Sequence, residues 1–166
     1  MNRLPTRRRQ SGLAVVEFAI VGALALILIF AVLEIARAFF VANALTEATR
    51  RGARMAVVCP VNDPAIAQVA TFNAPGAGNA SPVVNGLDTG DIALRYLDRD
   101  GVEIEDPDPD VISSFLRIRY IQVSVVNFEH ELIIPFLNLS LTMPEFTTTL
   151  PRESLGIPRS GVVTPC

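Results

Sequence analysis

An acidic residue, Glu17, interrupts an apolar run of 21 residues, Leu13 to Leu33, that carries no other charge. A charge near the centre of a bilayer costs on the order of 3 kcal/mol on insertion scales, so an acid there is expected to have a partner. A helix over this run is roughly 31 Å long, which matches the hydrocarbon core of a membrane. The alternative is an incidental acid near the membrane edge.

Two cysteines, Cys59 and Cys166, are the next candidates for chemistry, and they fit an exported chain in an oxidising compartment. A bridge between them would close most of the C-terminal part into one loop, which the chain-entropy model values at about 4–5 kcal/mol. Because the chain end has no other evident anchor, we expect a disulfide, with two unpaired thiols as the alternative.

The remaining polar residues predict no catalytic site. The single histidine, His130, lies between two glutamates and is expected to be a solvated strand end, since no second histidine or nearby cysteine completes a metal site. Seven acids within 98–110 could attract calcium but lack the spacing of an EF-hand, so we expect a solvated turn and connector. Ser113 and Ser114 stand near no plausible base. We therefore predict a protein that is not an enzyme and has no cofactor or metal.

Charge is unevenly distributed and predicts an orientation in the membrane. Residues 1–12 hold four arginines and no acid, whereas the residues after Gly12 hold ten arginines and 17 acids. A basic segment before an apolar run stays in the cytoplasm, so the C-terminal part is expected to be exported. An acidic exported domain gives no reason to expect nucleic-acid binding.

The apolar run continues without a helix breaker into an amphipathic stretch. Residues 34–58 contain no proline, and their apolar residues recur at steps of three and four. Pro60 then stops the helix. We predict a basic leader at 1–12 and one helix over 13–58, membrane-embedded over 13–33. The apolar face of its second half is formed by Ile35, Phe39, Ala42, Leu45, Ala48 or Thr49, Ala53 and Ala56.

Residues 59–166 are expected to form an exported α+β domain. Asp63 and Pro64 are typical of the start of a short helix. Alternation with a period of two then predicts strands in three regions: 91–105, with a turn at 100–101, then 115–130 and 137–151. The last region should bury one face, formed by Leu137, Leu139, Leu141 and Met143. The predicted antiparallel sheet has three or four strands, covered by the apolar stripe of the long helix.

The junction between the basic segment and the apolar run resembles that of type IV pilins and pseudopilins. In those proteins a basic leader ends in glycine, the bond after it is cut on the cytoplasmic side, and the fifth residue of the mature chain is glutamate. Gly12, Leu13 and Glu17 match these three positions. Within that superfamily the chain is similar to the TadE-like pseudopilins of tight-adherence (Flp) pilus systems. The matching residues are Gly12, Glu17-Phe18-Ala19, Glu34 and Gly52-Ala53-Arg54-Met55-Ala56, and "FTTTLPRE" near the C-terminus resembles the closing strand of that family.

This resemblance implies a pilin-like fold and a role as a minor pseudopilin that supports pilus assembly. A prepilin peptidase would cut between Gly12 and Leu13, and the new α-amine would pair with Glu17 of a neighbouring subunit and set the register. Glu17 and Phe18 would be the assembly residues. The implied partners are the peptidase, other pilin and pseudopilin subunits and the Tad secretion machinery. The implied location is the bacterial inner membrane, with the C-terminal domain periplasmic or extracellular and incorporation in a pilus as one outcome.

Other interpretations of the N-terminus remain open. An uncleaved single-span anchor, whose exported domain binds a partner or ligand, is the main alternative function. A secretory signal cut at Ala36-Arg37-Ala38 would need a shorter apolar run. A twin-arginine signal at Thr6-Arg7-Arg8-Arg9 would suit a prefolded cofactor protein, which nothing downstream suggests.

Overall fold

One helix of 46 residues, α1 (Ser11–Ala56), is the spine on which the other elements pack. The computed structural model describes residues 11–105, 107, 112–133, 139–157 and 166. Two short helices follow α1, namely α2 (Pro64–Ala70) and α3 (Ile112–Arg117), and a 3₁₀ turn covers Thr89–Asp91. The strands are β1 (Ile92–Leu97), β2 (Tyr120–Val125), β3 (Glu129–Glu131), β4 (Ser140–Thr142) and β5 (Phe146–Pro151).

The three longer strands form an antiparallel sheet in the order β1-β2-β5, and the second half of α1 covers it. Ile121 and Val123, which point from β2 into this interface, are fully buried. Across the same interface, the hydroxyl groups of Thr49 and Thr148 lie 2.8 Å apart and share a hydrogen bond. This arrangement confirms the predicted fold class, a long apolar N-terminal helix on a small antiparallel sheet.

The packed face of α1 begins later than the sequence suggests. Its buried residues are Val41, Leu45, Ala48, Thr49, Gly52, Ala53 and Ala56, which includes most of the predicted stripe. Ile35 and Phe39 were expected on that face, but 58% and 68% of their surfaces are exposed. The periodicity continues through both residues, but the three-stranded sheet does not reach that far along the helix.

Gly52 lies where α1, α2 and β2 come closest together. A Cβ atom on this residue would stand 2.9 Å from the Cβ of Ala70 and 3.0 Å from a methyl carbon of Val123. Both distances are well below the optimal separation of about 3.5–4.0 Å between carbon atoms, so the neighbouring groups would have to move. The glycine therefore sets the distance between the helix and the sheet.

The start of α2 is capped by Asp63, as the sequence indicates. Its carboxylate accepts a hydrogen bond from the Ala65 N–H at 2.8 Å.

Two predicted strand regions are each divided in the structure. The region 115–130 was expected to be one strand, but its first residues are helical in α3 and the rest divides into β2 and β3. Asn127 adopts a left-handed conformation (φ 56°), which breaks the strand between these two. The region 137–151 divides into β4 and β5 around Pro144, which has no N–H for a strand ladder.

The two shortest strands, β3 and β4, form a separate antiparallel sheet. The buried face predicted for 137–151 is wrong here, because half of Leu139 and almost half of Leu141 are exposed. Met143 is half-buried, and Leu137 lies outside the described residues. The alternation is present, but no element within the described part of the chain covers these two leucines.

The turn at 98–102 shows that part of the acidic segment is structural. The Asp98 carboxylate accepts hydrogen bonds from the N–H groups of Asp100 and Val102, each at 2.9 Å, and from Arg117 at 3.3 Å. These contacts, led by the Val102 N–H, lower the pKa of Asp98. The second strand predicted here is reduced to a single bridge between Leu97 and Glu103.

The C-terminal end of the domain is fastened to the end of α1. Residues 153–156 donate three backbone hydrogen bonds to the carbonyls of Val57 and Val58. A disulfide joins Cys59 to Cys166, whose Cα atoms are 5.7 Å apart. The two cysteines are separated by 107 positions in the sequence. Within the described residues no cysteine is free. Chain entropy alone values such a loop at about 4–5 kcal/mol.

The close approach at Gly52 gives a first prediction. Replacing Gly52 with Val forces the helix away from Ala70 and Val123, and overpacking of this kind destabilises by about 1–3 kcal/mol. We expect a lower midpoint of thermal unfolding, followed by circular dichroism on the full chain in detergent. The matched control is Gly22→Val in the same helix, where an added Cβ meets no atom within 4 Å. Equal midpoints for the two variants would contradict the packing role.

Candidate membrane and assembly segment

The first half of α1 is bare. From Leu13 to Leu33 its large apolar side chains are exposed, and Phe18 is the most exposed at 80%. The most apolar 18-residue window of the helix has a mean hydropathy of 2.8, and none of it is buried. By length and composition, α1 is able to cross a membrane. Bare apolar surface on this scale is not stable in water, so lipid or other helices must cover it.

The helix brings Leu13 and Glu17 to one face. They are separated by four residues, which is about one turn and a rise of about 6 Å. Glu17 is exposed, and within the described part of the chain it has no ion pair. Gly12 lies in the first turn of α1, where backbone N–H groups have no partner inside the helix. Apart from the backbone of the helix itself, no atom of the described residues lies within 4 Å of the place where a Cβ on Gly12 would be.

A second acid, Glu34, marks the end of the apolar run, and unlike Glu17 it is buried, with 9% of its surface exposed. Its carboxylate accepts a hydrogen bond from Arg37 Nη1 at 2.6 Å and a longer one from the Ile133 N–H at 3.3 Å. His130 Nε2 lies 3.4 Å from the same carboxylate. Glu34 thus fastens the β3 region to the helix at the point where the apolar run stops.

His130 is not the solvated strand end that the sequence suggested. Only 3% of its surface is exposed, and its Nε2 has no hydrogen-bond partner within the described residues. Alternation along β3 could have found this orientation, because Glu129 and Glu131 lie on one face and His130 must lie on the other. The partner, Glu34, is 96 residues away in sequence, and nothing local to His130 reveals it.

The groove beside this cluster offers little for a ligand. It has a volume of about 490 Å³ and is lined by residues of α1, of the loop at 83–86 and of the 127–133 region. Two of its charged groups are already used within the chain. Arg37 binds Glu34, and the Asp91 carboxylate accepts a hydrogen bond from the Asp88 N–H at 2.9 Å. Among the described residues, no three His, Cys, Asp or Glu side chains are grouped to hold a metal ion.

A family model described as TadE-like protein matches residues 12–54. No curated protein and no solved structure gives a significant match. The matched segment is almost the whole of α1, and it includes Gly12, Glu17, Glu34 and Gly52, so the resemblance that the sequence suggested is confirmed there. The two sheets lie outside it. TadE-like proteins are pilus components and are not known as enzymes, and the match suggests a Tad pilus-associated protein with an N-terminal apolar helix.

The Glu34 cluster gives a second prediction. Replacing Glu34 with Ala removes the acceptor of the Ile133 N–H and leaves His130 buried without its acid, and an unpaired buried group costs about 1–3 kcal/mol. We expect faster amide hydrogen exchange over 129–133.

The matched control for this prediction is Glu47→Ala. Glu47 also pairs with an arginine on α1, but at an exposed site, so its loss should cost only about 0.3–0.5 kcal/mol. Unchanged exchange over 129–133 in the Glu34 variant would show that the β3 region is held by other contacts.

Proposed function

We propose that this chain, whose N-terminal helix matches the TadE-like family, is a minor pseudopilin that supports assembly of a Tad-type adhesive pilus. The observation that carries the proposal is the bare half of α1, in which the only acid stands four residues after Leu13. Such a surface needs lipid before assembly and neighbouring apolar helices after it. One segment can meet both needs, because lipid chains and packed helices are equally apolar surroundings.

The orientation follows from charge. Four arginines precede the apolar run, and the acidic domain with its disulfide follows it. Positive charge holds the N-terminal side in the cytoplasm, and a disulfide suits the opposite, oxidising side of the inner membrane. The size of the domain favours a minor subunit, since the major subunit of such systems resembles a very short chain with almost no globular part.

Cleavage by a prepilin peptidase after Gly12 would convert the junction into a charged pair. The peptide nitrogen of Leu13 would become a cationic amine on the same helix face as Glu17. Within one chain the two groups are about a turn apart and pair loosely. Between neighbouring subunits staggered along a fibre, the amine of one can meet the carboxylate of the next directly. Water-excluded surroundings strengthen that attraction, and an unpaired charge there is costly, so only matching registers are stable.

The first turn of α1 also suits the proposed cut. A peptidase binds its substrate in an extended form, so the helix must open at the cut. Glycine favours the helix less than any residue except proline, so the helix opens at Gly12 at a low cost in free energy. Among the described residues, no side chain or other element packs against Gly12. The glycine is thus free to serve recognition by the peptidase.

The N-terminus of the mature chain tests the proposal. Intact-mass spectrometry of protein from cells that carry the peptidase should give a chain beginning at Leu13. Gly12→Val should leave the full-length precursor, whereas Gly22→Val in the same helix should be processed normally. An intact Met1 in the unaltered protein would favour the uncleaved single-span anchor, and a start at Phe39 would indicate a secretory signal.

The Glu17 carboxylate gives a separate prediction. Glu17→Gln keeps the size and shape of the side chain but removes the charge, so the chain should still enter the membrane fraction. Pili should be lost or much reduced when counted by electron microscopy, since breaking one partner of a buried pair costs about 3–5 kcal/mol. Glu47→Gln, at an exposed site beyond the apolar run, should leave pilus number unchanged. Normal pili in the Glu17 variant would refute the register role.

A further inference from the structure

The small sheet formed by β3 and β4 has one polar and one apolar face. His130 is directly opposite Leu141, and the Leu132 N–H donates to the Leu139 carbonyl at 2.9 Å. Opposite and alternate residues share a face of an antiparallel pair. One face therefore holds His130, Leu132, Leu139 and Leu141. The other holds Glu129, Glu131, Ser140 and Thr142.

The apolar face is only partly covered. His130 is buried against Glu34, but Leu139 and Leu141 on the same face are about half exposed. Ile133, next along the chain, is 66% exposed. A strand pair that is apolar on one face and acidic on the other normally packs its apolar face against an apolar core and leaves the acidic face in water. Within the described residues, nothing fills that role.

The position of this sheet along α1 indicates what covers it. The Ile133 N–H contacts Glu34, which is the first residue after the apolar run. Ile133 also lines the groove that contains the exposed Phe40 of α1. The three-stranded sheet, by contrast, meets α1 near Gly52, which is 18 residues or about 27 Å further along the helix. The uncovered leucines therefore belong to the part of the domain nearest the hydrocarbon boundary.

We propose that the β3–β4 sheet rests in the membrane interface, with Leu139 and Leu141 among the headgroups and upper acyl chains and the acidic face toward water. Apolar side chains of interfacial segments sink about 5–10 Å into this region. Two exposed side chains are far fewer than the roughly 20–30 residues a side of a stable protein interface, which favours lipid over a second copy of the chain. The inference rests on the membrane-spanning part of the proposed function, and cleavage and pilus assembly are not needed for it.

Tryptophan fluorescence can test this placement, because the sequence contains no tryptophan and one introduced residue is then the sole reporter. Full-length Leu139→Trp and Leu141→Trp are reconstituted separately in phosphatidylethanolamine–phosphatidylglycerol vesicles with and without brominated acyl chains. Val102→Trp is the matched control, as Val102 is equally exposed but lies at the turn beyond the far end of β1. Leu24→Trp, in the middle of the apolar run, reports on the span itself.

We expect blue-shifted emission and quenching by brominated lipid at positions 139 and 141, with neither effect at position 102. Emission at 139 and 141 like that at 102 would overturn the inference. Blue-shifted emission without quenching would also overturn it, because a protein neighbour would then cover the face. Quenching at 24 but not at 139 or 141 leaves the proposed function standing and removes only this inference. Absence of quenching at 24 removes the membrane span, and both proposals with it.

Discussion

The exposed apolar surface of the first half of α1 limits where the rest of the molecule can lie. A helix that is apolar on every side must be surrounded by other apolar material, and this chain supplies none of it in the described residues. Everything else is arranged beyond Leu33. The domain contacts the helix only from Glu34 onward, and so leaves the membrane-sized part unobstructed for lipid or for other helices. A domain packed nearer the N-terminal end of α1 would compete with lipid and with other helices for the same surface.

Glu34 lies at the boundary between the exposed apolar half of α1 and the half that packs on the domain. Before it, side chains face outward in all directions, and after it one face becomes a protein core. Glu34 is buried but not unpaired, because its carboxylate accepts hydrogen bonds from Arg37 and from the Ile133 N–H. The same contacts fix the height of the β3 region. Glu17, in contrast, is left without a partner among the described residues.

The sequence predicted the features that depend on local pattern. The long helix, the cap at Asp63 and the antiparallel sheet follow from periodicity and from the chemistry of single residues. It failed where tertiary structure decided the outcome. Nothing near His130 reveals Glu34, and alternation around Leu141 cannot say which surroundings complete the apolar face. The strand breaks at Asn127 and Pro144 are local signals that the longer alternating runs concealed.

The disulfide between Cys59 and Cys166 has a mechanical consequence. Cys166 is bonded to Cys59 within a few residues of the point where α1 stops, so both ends of the covalent loop, at a sequence separation of 107, meet beside the end of the helix. Tension along α1 would not pass through this loop. A pull applied at Cys166 would reach the end of α1 through one covalent bond and leave the loop between the two cysteines unstretched.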